Sequence, residues 1–224
     1  MSSEARARHI ERRRSRAGEH AAEPDKPTRR SGDETWSELL RVSAEAFARK
    51  GYRGTSLQEI AEALGMLKGS LYYYFNTKED LLYEVVRTST QASLSAVEAL
   101  SQDTSEPGLD RLDRMMEVHI RELLLHLDEA TVYLNDVTKL SPSRRRQLPD
   151  KQYAHIFHSL IIEGQKDGSI RSDLDDALLL RTLLGYVNSV FKWYDPADSY
   201  TIDDVSHHTR AILRAGLRPQ EQPL

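Results

Sequence analysis

The sequence of 224 residues contains no cysteine, no long apolar run and no glycine-rich phosphate loop. Without cysteine the chain forms neither a disulfide nor a thiolate metal site, and a reducing compartment is the simplest setting. No apolar stretch approaches the roughly 20 residues that cross a bilayer, and the start of the chain is rich in arginine rather than hydrophobic. We therefore expect a soluble, cytoplasmic protein without a membrane partner.

Groups that could support catalysis or hold a metal ion are also sparse. The eight histidines include His155 and His158, three residues apart on a predicted helix, and the adjacent His207 and His208. No carboxylate accompanies either pair in a zinc or iron pattern, and the chain has no nucleophile elbow. The sequence predicts no metal site, no cofactor and no enzymatic activity.

Positive charge is concentrated at the start of the chain, although the net charge of the whole is −4. Residues 1–30 carry nine basic and five acidic side chains, whereas residues 81–224 carry sixteen basic and twenty-two acidic ones. Residues 1–32 have few bulky apolar side chains, which predicts a disordered basic arm. Two interpretations stay open: the arm contacts DNA phosphates or the minor groove, or it is a solvated tail without a function.

The most informative segment is 55–80, which predicts a helix, a turn at Gly65 and a short second helix. Spacing of i, i+3, i+4 and i+7 gives the first of these helices one apolar stripe, formed by Leu57, Ile60, Ala61 and Leu64. Its start fits a capping box of Ser56 with Glu59, and Thr55 with Gln58 would fit one residue earlier. The second helix leaves small, hydroxyl and lysine side chains outside, which suits the major groove of DNA.

The string AFARKGYRGTSLQEIAEALGMLKGSLYYYFNTKEDLL closely resembles the DNA-binding region of tetracycline-repressor (TetR) family transcription regulators, and the match spans residues 33–86 without a gap. The resemblance implies an all-α fold with an N-terminal three-helix helix-turn-helix DNA-binding domain at 33–80. A C-terminal helical ligand-binding and dimerisation domain would follow at 81–218, and a flexible tail at 219–224. One departure is Leu67, which stands where many members carry a polar residue.

Carried over by position, the resemblance implies which side chains contact double-stranded DNA. Lys68 would reach a base edge or a phosphate, Gly69 would let the backbone approach the bases, and Leu67 would pack on a thymine methyl group. Phosphate contacts would come from hydroxyl groups and one lysine, namely Thr55 or Ser56, Ser70, Tyr72, Tyr73, Tyr74 and Lys78. Because successive helical residues lie about 100° apart, at least one tyrosine is expected to pack inside.

Beyond residue 80 the apolar spacing is helical, with no alternating strand pattern. It predicts helices at 81–100, 109–128, 129–140, 147–164, 173–194 and 202–217. The helix at 173–194 is apolar nearly all round, so it needs cover from its own domain and from another surface. Together with 202–217 it resembles the family's four-helix interface of a homodimer, and burial within one chain is the alternative. A homodimer would read a palindromic operator, because one short helix specifies too few base pairs.

The resemblance also implies a cavity for a small-molecule effector that releases a repressor from its operator. Apolar walls with a few polar points suit such a site, and the candidate lining residues are Met115, Met116, His119, Leu123, Tyr133, Asn135, Phe157, Leu183, Val187 and Trp193. Ordinary core packing is the alternative for most of them, and solvent exposure for Tyr133 and Asn135.

Two segments, at 65–72 and 190–196, are similar to members that respond to acyl-CoA thioesters of fatty-acid or steroid-ring breakdown. The phosphates of such an effector would need cationic partners, and the candidates are Lys139, Arg144, Arg145, Arg146 and Lys192. Two other hypotheses remain: control of an efflux pump in response to drugs, and a helical adaptor that binds proteins.

Overall fold

The computed structural model describes residues 32–101 and 105–219, which form helices and no strand. The N-terminal helices are α1 (Gly32–Gly54), α2 (Leu57–Ala63), α3 (Lys68–Leu71) and α4 (Lys78–Ser101). They are followed by α5 (Gly108–Leu125), α6 (Leu127–Asp136), α7 (Pro142–Arg145), α8 (Asp150–Asp167), α9 (Asp176–Asn188) and α10 (Ile202–Leu217), with 3-10 turns at Val137–Lys139 and Ser189–Lys192. The predicted all-α fold is confirmed. The predicted basic arm, apart from residue 32, and the tail beyond residue 219 lie outside the described residues.

The turn between α1 and α2 depends on a glycine and a capping box. Gly51 interrupts α1 with φ 73° and ψ 157°, a backbone conformation that side chains with a Cβ rarely adopt. Ser56 Oγ then accepts a hydrogen bond from the Glu59 N–H at 3.2 Å, while the Glu59 carboxylate accepts one from the Ser56 N–H at 2.7 Å. The start of α2 is therefore the Ser56 alternative, and Thr55 is not the cap.

The N-terminal head, formed by α1, α2, α3 and the first turns of α4, has its own apolar core. This core is built from residues of all four helices, among them Leu39, Phe47, Ile60, Leu71, Phe75, Leu81 and Val85. Three residues from the following domain, Val132, Leu140 and Leu148, are buried in the same cluster. The end of α6 and the segment after it are thus part of the packing of the head.

A second core fills the C-terminal domain between α4, α5, α8, α9 and α10. The start of α5 lies so close to α8 that a Cβ built on Gly108 would be 2.4 Å from the Gly164 backbone nitrogen. Helix α10 is held on α5 by Arg210, which pairs with Asp113 at 2.5 Å and with Glu117 at 2.6 Å. In the ranges that the structure covers, none of the helices combines the length and apolar character needed to cross a bilayer.

Several helix boundaries differ by a few residues from those expected. The helix predicted at 173–194 begins at Asp176, where the Asp175 carboxylate caps the Leu178 N–H at 2.8 Å, and its α-helical part ends at Asn188. Between the helices predicted at 129–140 and 147–164 the structure has a single helical turn, α7, whose first residue is Pro142. Proline fits that position because the first residue of a helix needs no hydrogen-bonded N–H.

Candidate nucleic-acid interface and effector site

The short helix α3 presents its predicted base-reading side chains to solvent. Leu67 occupies the N-cap position and is 82% exposed, and Lys68, Gly69 and Ser70 are exposed as well. Leu71, the last residue of the helix, is buried and anchors it to the core of the head. The structure therefore leaves residues 67–70 open to solvent at one edge of the head.

The three tyrosines after α3 have different surroundings. Tyr72 is exposed, whereas Tyr73 and Tyr74 are half-buried. The ring of Tyr74 packs against the core of the head, with its centroid 6.2 Å from that of Trp36, and Tyr73 lies edge-on to it at 5.2 Å. Tyr74 is thus the tyrosine that packs inside, as the helical period requires of at least one.

Thr55 does not fit its predicted contact with phosphate. Its side chain is 3% exposed, and its hydroxyl lies 3.0 Å from the carbonyl oxygens of both Ala46 and Gly51. Because this hydroxyl is buried and bonded to the backbone, the placement contradicts a DNA contact. Ser56, the alternative, is exposed, and its hydroxyl accepts from a backbone N–H while its own hydrogen can still be donated.

Lys78 begins α4 at the edge of the head and is only partly open to solvent. Its Nζ lies 4.4 Å from the ring centroid of Tyr52, within the range of a cation–π contact. Burial lowers the pKa of Lys78, and the nearby carboxylates of Asp136 and Glu59 oppose that shift. A contact with phosphate would draw this ammonium group away from the Tyr52 ring.

Asp136, at the end of α6, is a candidate functional residue that the sequence did not reveal. It is buried, and its Oδ2 accepts a hydrogen bond from the Tyr52 N–H at 2.9 Å, across 84 positions of the chain. Tyr52 follows Gly51, where the helical hydrogen bonding of α1 is interrupted, so Asp136 satisfies a donor freed by that break. Nothing in the local sequence separates this aspartate from an exposed acid at a helix end.

The cations predicted to bind effector phosphates lie in different surroundings in the structure. Arg144 pairs with Asp80 and lies 3.5 Å from Glu79, so its charge is already used. Lys139, Arg145 and Arg146 are exposed on the segment that packs against the head rather than beside the C-terminal core. Lys192 is exposed at the end of the turn after α9 and is the remaining candidate near that core.

Six of the predicted cavity residues belong to the C-terminal core and are buried together, namely Met115, Met116, Leu123, Phe157, Leu183 and Val187. Two others conflict with an interior site, because Asn135 is exposed and Trp193 is 57% exposed. Tyr133 is half-buried against the core of the head and bonds to Asp150, and burial raises the pKa of both groups.

His119 lies at the centre of a polar cluster within this core. Its Nε2–H donates to Asn188 Oδ1 at 2.9 Å, which leaves Nδ1 to accept from the Tyr153 hydroxyl. Burial lowers the pKa of His119, an effect that the bond to Asn188 opposes, so the neutral imidazole is the favoured form. Tyr153 and Asn188 were not predicted, since neither carries a sequence pattern that marks a partner of His119.

An apolar cleft of about 240 Å³, counting its open mouth, lies between α5, α9 and α10. Leucines form most of its walls, and Asp113, Arg210 and Arg214 form the charged part of the lining. Met116 and Leu183 are the two lining residues that the cleft shares with the predicted cavity. The predicted and observed linings therefore overlap only in part.

The other histidines of the described residues form no common site with His119. His158 Nε2 lies 3.4 Å from the Asp176 carboxylate, and His208 Nδ1 donates to the Asp204 carbonyl oxygen at 2.9 Å. Within residues 32–101 and 105–219, no group of three or more histidine, aspartate or glutamate side chains is placed to hold a metal ion.

Large apolar side chains on α9 and α10 are left uncovered on a single chain. Leu178 is 63% exposed, Ile212 is 61% exposed, and Tyr186 is exposed as well. The opposite sides of the same helices bury Leu183 and Val205 in the C-terminal core. The apolar character predicted on both sides of the helix at 173–194 is thus present on α9, and α10 also exposes an apolar side chain; these exposed side chains have no cover within the described chain.

Both halves of the chain match known proteins. Residues 39–85 match the model for bacterial regulatory proteins of the tetR family, and residues 105–217 match the tetracyclin repressor-like C-terminal domain. The transcriptional repressor KstR2 of Rhodococcus jostii is 29% identical over 199 residues, which cover 86% of this chain and 95% of that relative.

Two solved structures share the architecture. The ketosteroid transcriptional regulator KstR2 of Mycobacterium tuberculosis has a TM-score of 0.77 and 26% identity, covering 85% of this chain and 98% of its own. AibR, solved in complex with isovaleryl coenzyme A and operator DNA, has a TM-score of 0.73, covering 80% of this chain and 97% of its own. At 24% identity, the likeness to AibR concerns the fold alone.

Proposed function

The chain belongs to the TetR family of bacterial transcription regulators, and from that membership we propose that it is a homodimeric repressor released from a palindromic operator by a small-molecule effector. The family consists of DNA-binding regulators rather than enzymes. The observation that carries the proposal is the open surface of α3 at residues 67–70, held rigidly by the buried Leu71. We place its action in the cytoplasm, where bacterial DNA lies.

In this proposal, the head reads base edges through Lys68, with Gly69 allowing close approach of the backbone and Leu67 packing on a thymine methyl group. Phosphates are contacted by the exposed hydroxyls of Ser56, Ser70 and Tyr72 and by the ammonium of Lys78, with Tyr73 at the margin. Tyr74 and Thr55 are omitted from the interface because both are packed into the head.

The uncovered apolar side chains of α9 and α10 support the homodimer. Leu178, Tyr186 and Ile212 lie on the same pair of helices, and burying them against a second copy removes apolar surface from water at roughly 25 cal/mol per Å². Two recognition helices related by a two-fold axis then contact half-sites about 34–36 Å apart, or a multiple of that distance.

For the effector we propose an acyl-CoA thioester. The apolar core around Met115, Phe157 and Val187 would have to open to admit an acyl chain, and His119 would then exchange its bonds to Tyr153 and Asn188 for bonds to a carbonyl or hydroxyl on the ligand. Lys192 is the exposed cation available for the phosphates. AibR, solved with isovaleryl coenzyme A, shows that a protein of this fold can hold an effector of this class.

Effector and DNA are coupled in this scheme through α6. Its residues Val132 and Asp136 are buried in the head, while Leu127 and Ala130 pack against the C-terminal core. A ligand that shifts α6 therefore moves the head, and an effector that binds better to the shifted state lowers DNA affinity by the coupling free energy.

The test uses the full chain and the DNA upstream of its own gene. We expect a protected palindrome whose binding weakens as salt rises, and release by members of an acyl-CoA series. Lys68→Ala should weaken binding and reduce the preference for the operator over scrambled DNA, whereas Tyr72→Phe should weaken both alike. Release by free drugs but by no thioester would reject the effector class, and absence of a protected site would reject the repressor.

A further inference from the structure

The connection between α6 and α8 carries an unusual concentration of positive charge. Residues 137–148, which we term the basic corner, include Lys139, Arg144, Arg145 and Arg146 and no acidic residue. The corner interrupts a domain that is otherwise acidic, since residues 81–224 hold sixteen basic and twenty-two acidic side chains. Such a local density of basic side chains makes the electrostatic potential positive there and attracts anions.

The corner is fixed to the head at both of its ends. Leu140 and Leu148 are buried in the core of the head, on either side of α7. Backbone hydrogen bonds, from the Arg145 N–H to the Ser141 carbonyl at 3.0 Å and from the Gln147 N–H to the Arg144 carbonyl at 3.0 Å, hold the turn in shape. The corner therefore moves with the head.

Side-chain contacts place the corner on the first two turns of α4. The Ser141 N–H donates to Glu79 Oε1 at 2.9 Å, which holds the pKa of Glu79 below its ordinary value. Tyr83, one turn further along α4, donates its hydroxyl hydrogen to Gln147 Oε1 at 3.1 Å. Glu79 follows Lys78 directly, so the corner borders the proposed phosphate-contacting end of α4.

The ion pairs of the basic corner leave its surface beside α4 with a net positive charge. Arg144 neutralises Asp80 and lies beside Glu79, the two acids that would otherwise repel DNA at the start of α4. Lys139, Arg145 and Arg146 are exposed and form no ion pair with another residue of the described ranges. Each protomer thus adds three uncompensated cations beside Lys78.

We propose that the basic corner is an additional phosphate-binding surface that contacts the DNA backbone alongside each half-site. The inference rests on the proposed function, and it extends the interface beyond the helix-turn-helix. The phosphates of an effector could bind the same cations as the phosphates of DNA. The location favours DNA, because the corner packs on the head and its cations are exposed to solvent rather than buried in the C-terminal core.

The test compares Arg145→Gln/Arg146→Gln with a control that removes the same charge far from the head. Lys166→Gln/Arg218→Gln serves as the control, because both side chains are exposed and Lys166 lies about 24 Å along α8 from Asp150 at 1.5 Å per residue. Arg218 adjoins Leu217, whose carbonyl oxygen accepts from the Arg171 N–H at 2.9 Å, just past the same end of α8. The probe is the upstream duplex protected by the wild-type chain. Binding is measured from 50 to 300 mM salt, with and without the active acyl-CoA.

We expect the corner variant to bind roughly tenfold or more weakly at moderate salt. The slope of log K against log salt should fall by about 0.9 for each phosphate that is no longer neutralised, and by up to about 3.6 for four arginines per dimer. Arg145→Lys/Arg146→Lys should restore most of the slope, because an ammonium also binds phosphate as a point charge.

The failure of this inference is distinguishable from failure of the proposed function. If the wild type binds with salt dependence and the corner variant keeps the slope and affinity of the control, the corner is not a DNA contact. Loss of acyl-CoA release with unchanged DNA binding would assign the corner to the effector and overturn the proposal. If the wild-type chain itself shows no specific, salt-dependent site, the repressor function fails first.

Discussion

The polar cluster around His119 ties the stability of the C-terminal core to pH. Burial lowers the pKa of His119 below its ordinary value of 6.5, so the unfolded chain binds this proton at a higher pH than the folded chain does. Between the folded and the unfolded pKa, stability therefore rises with pH, and it is lost as pH falls from about 6.5 toward the folded value. Its bonded neighbours Tyr153 and Asn188 are neutral in this range and add no titration of their own.

Below pH 6.5 we expect the free energy of unfolding of the wild type to fall more steeply with pH than that of His119→Gln, by up to about 1.4 kcal/mol per pH unit. The glutamine amide can still form hydrogen bonds, but it does not titrate. Urea unfolding at pH 7.5, 6.5 and 5.5, at one protein concentration, measures the difference. The variant will be less stable at pH 7.5, so only the slopes are compared. Parallel slopes would show that His119 is not the group responsible.

At the scale of helices, Asp136 joins α6 to the interrupted end of α1. Asp136→Ala removes the acceptor of the Tyr52 N–H, and leaving that donor unpaired costs about 1–3 kcal/mol. Asp136→Asn keeps an acceptor but removes the negative charge near Lys78, so we expect a smaller loss of stability. Asn135→Ala is the matched control, because it truncates an exposed neighbour on the same helix.

The same series tests the coupling of α6 to the head. If this bond transmits the effector signal, Asp136→Ala should change the acyl-CoA concentration that releases DNA, while Asn135→Ala leaves it unchanged. Urea unfolding and operator titration separate the two effects. An Asp136→Ala variant with wild-type stability and wild-type release would show that the bond is dispensable.

The helices could be predicted from the sequence wherever local patterns decide them. The Ser56–Glu59 capping box and the apolar period of α2 depend on residues within two turns, and both are present. Contacts between residues far apart in the sequence could not be predicted from local patterns. The hydrogen bond from Tyr52 to Asp136 and the burial of Leu148 in the head both depend on how distant parts of the chain pack together. The burial of the Thr55 hydroxyl also left no local pattern, because its acceptor Ala46 lies nine residues earlier, within α1.

At the scale of the whole molecule, the proposed homodimer would cover the apolar side chains that α9 and α10 expose. A second copy is the simplest partner, because the proposed palindromic operator requires two heads and the helix pair exposes Leu178, Tyr186 and Ile212 together. An equally exposed apolar side chain elsewhere provides a control: Leu125, at the end of α5, is exposed to the same 61% as Ile212 but lies outside this helix pair.

Ile212→Glu should therefore convert the dimer to a monomer, because association would bury an unpaired carboxylate, and we expect the dissociation constant of the dimer to rise roughly a hundredfold or more. Leu125→Glu introduces the same charge at equal exposure and should stay dimeric. Sedimentation velocity measures assembly, and operator binding should fall with it, since one head alone contacts a single half-site. A dimeric Ile212→Glu chain with full operator affinity would exclude this helix pair from the interface and move the two-fold axis to another face.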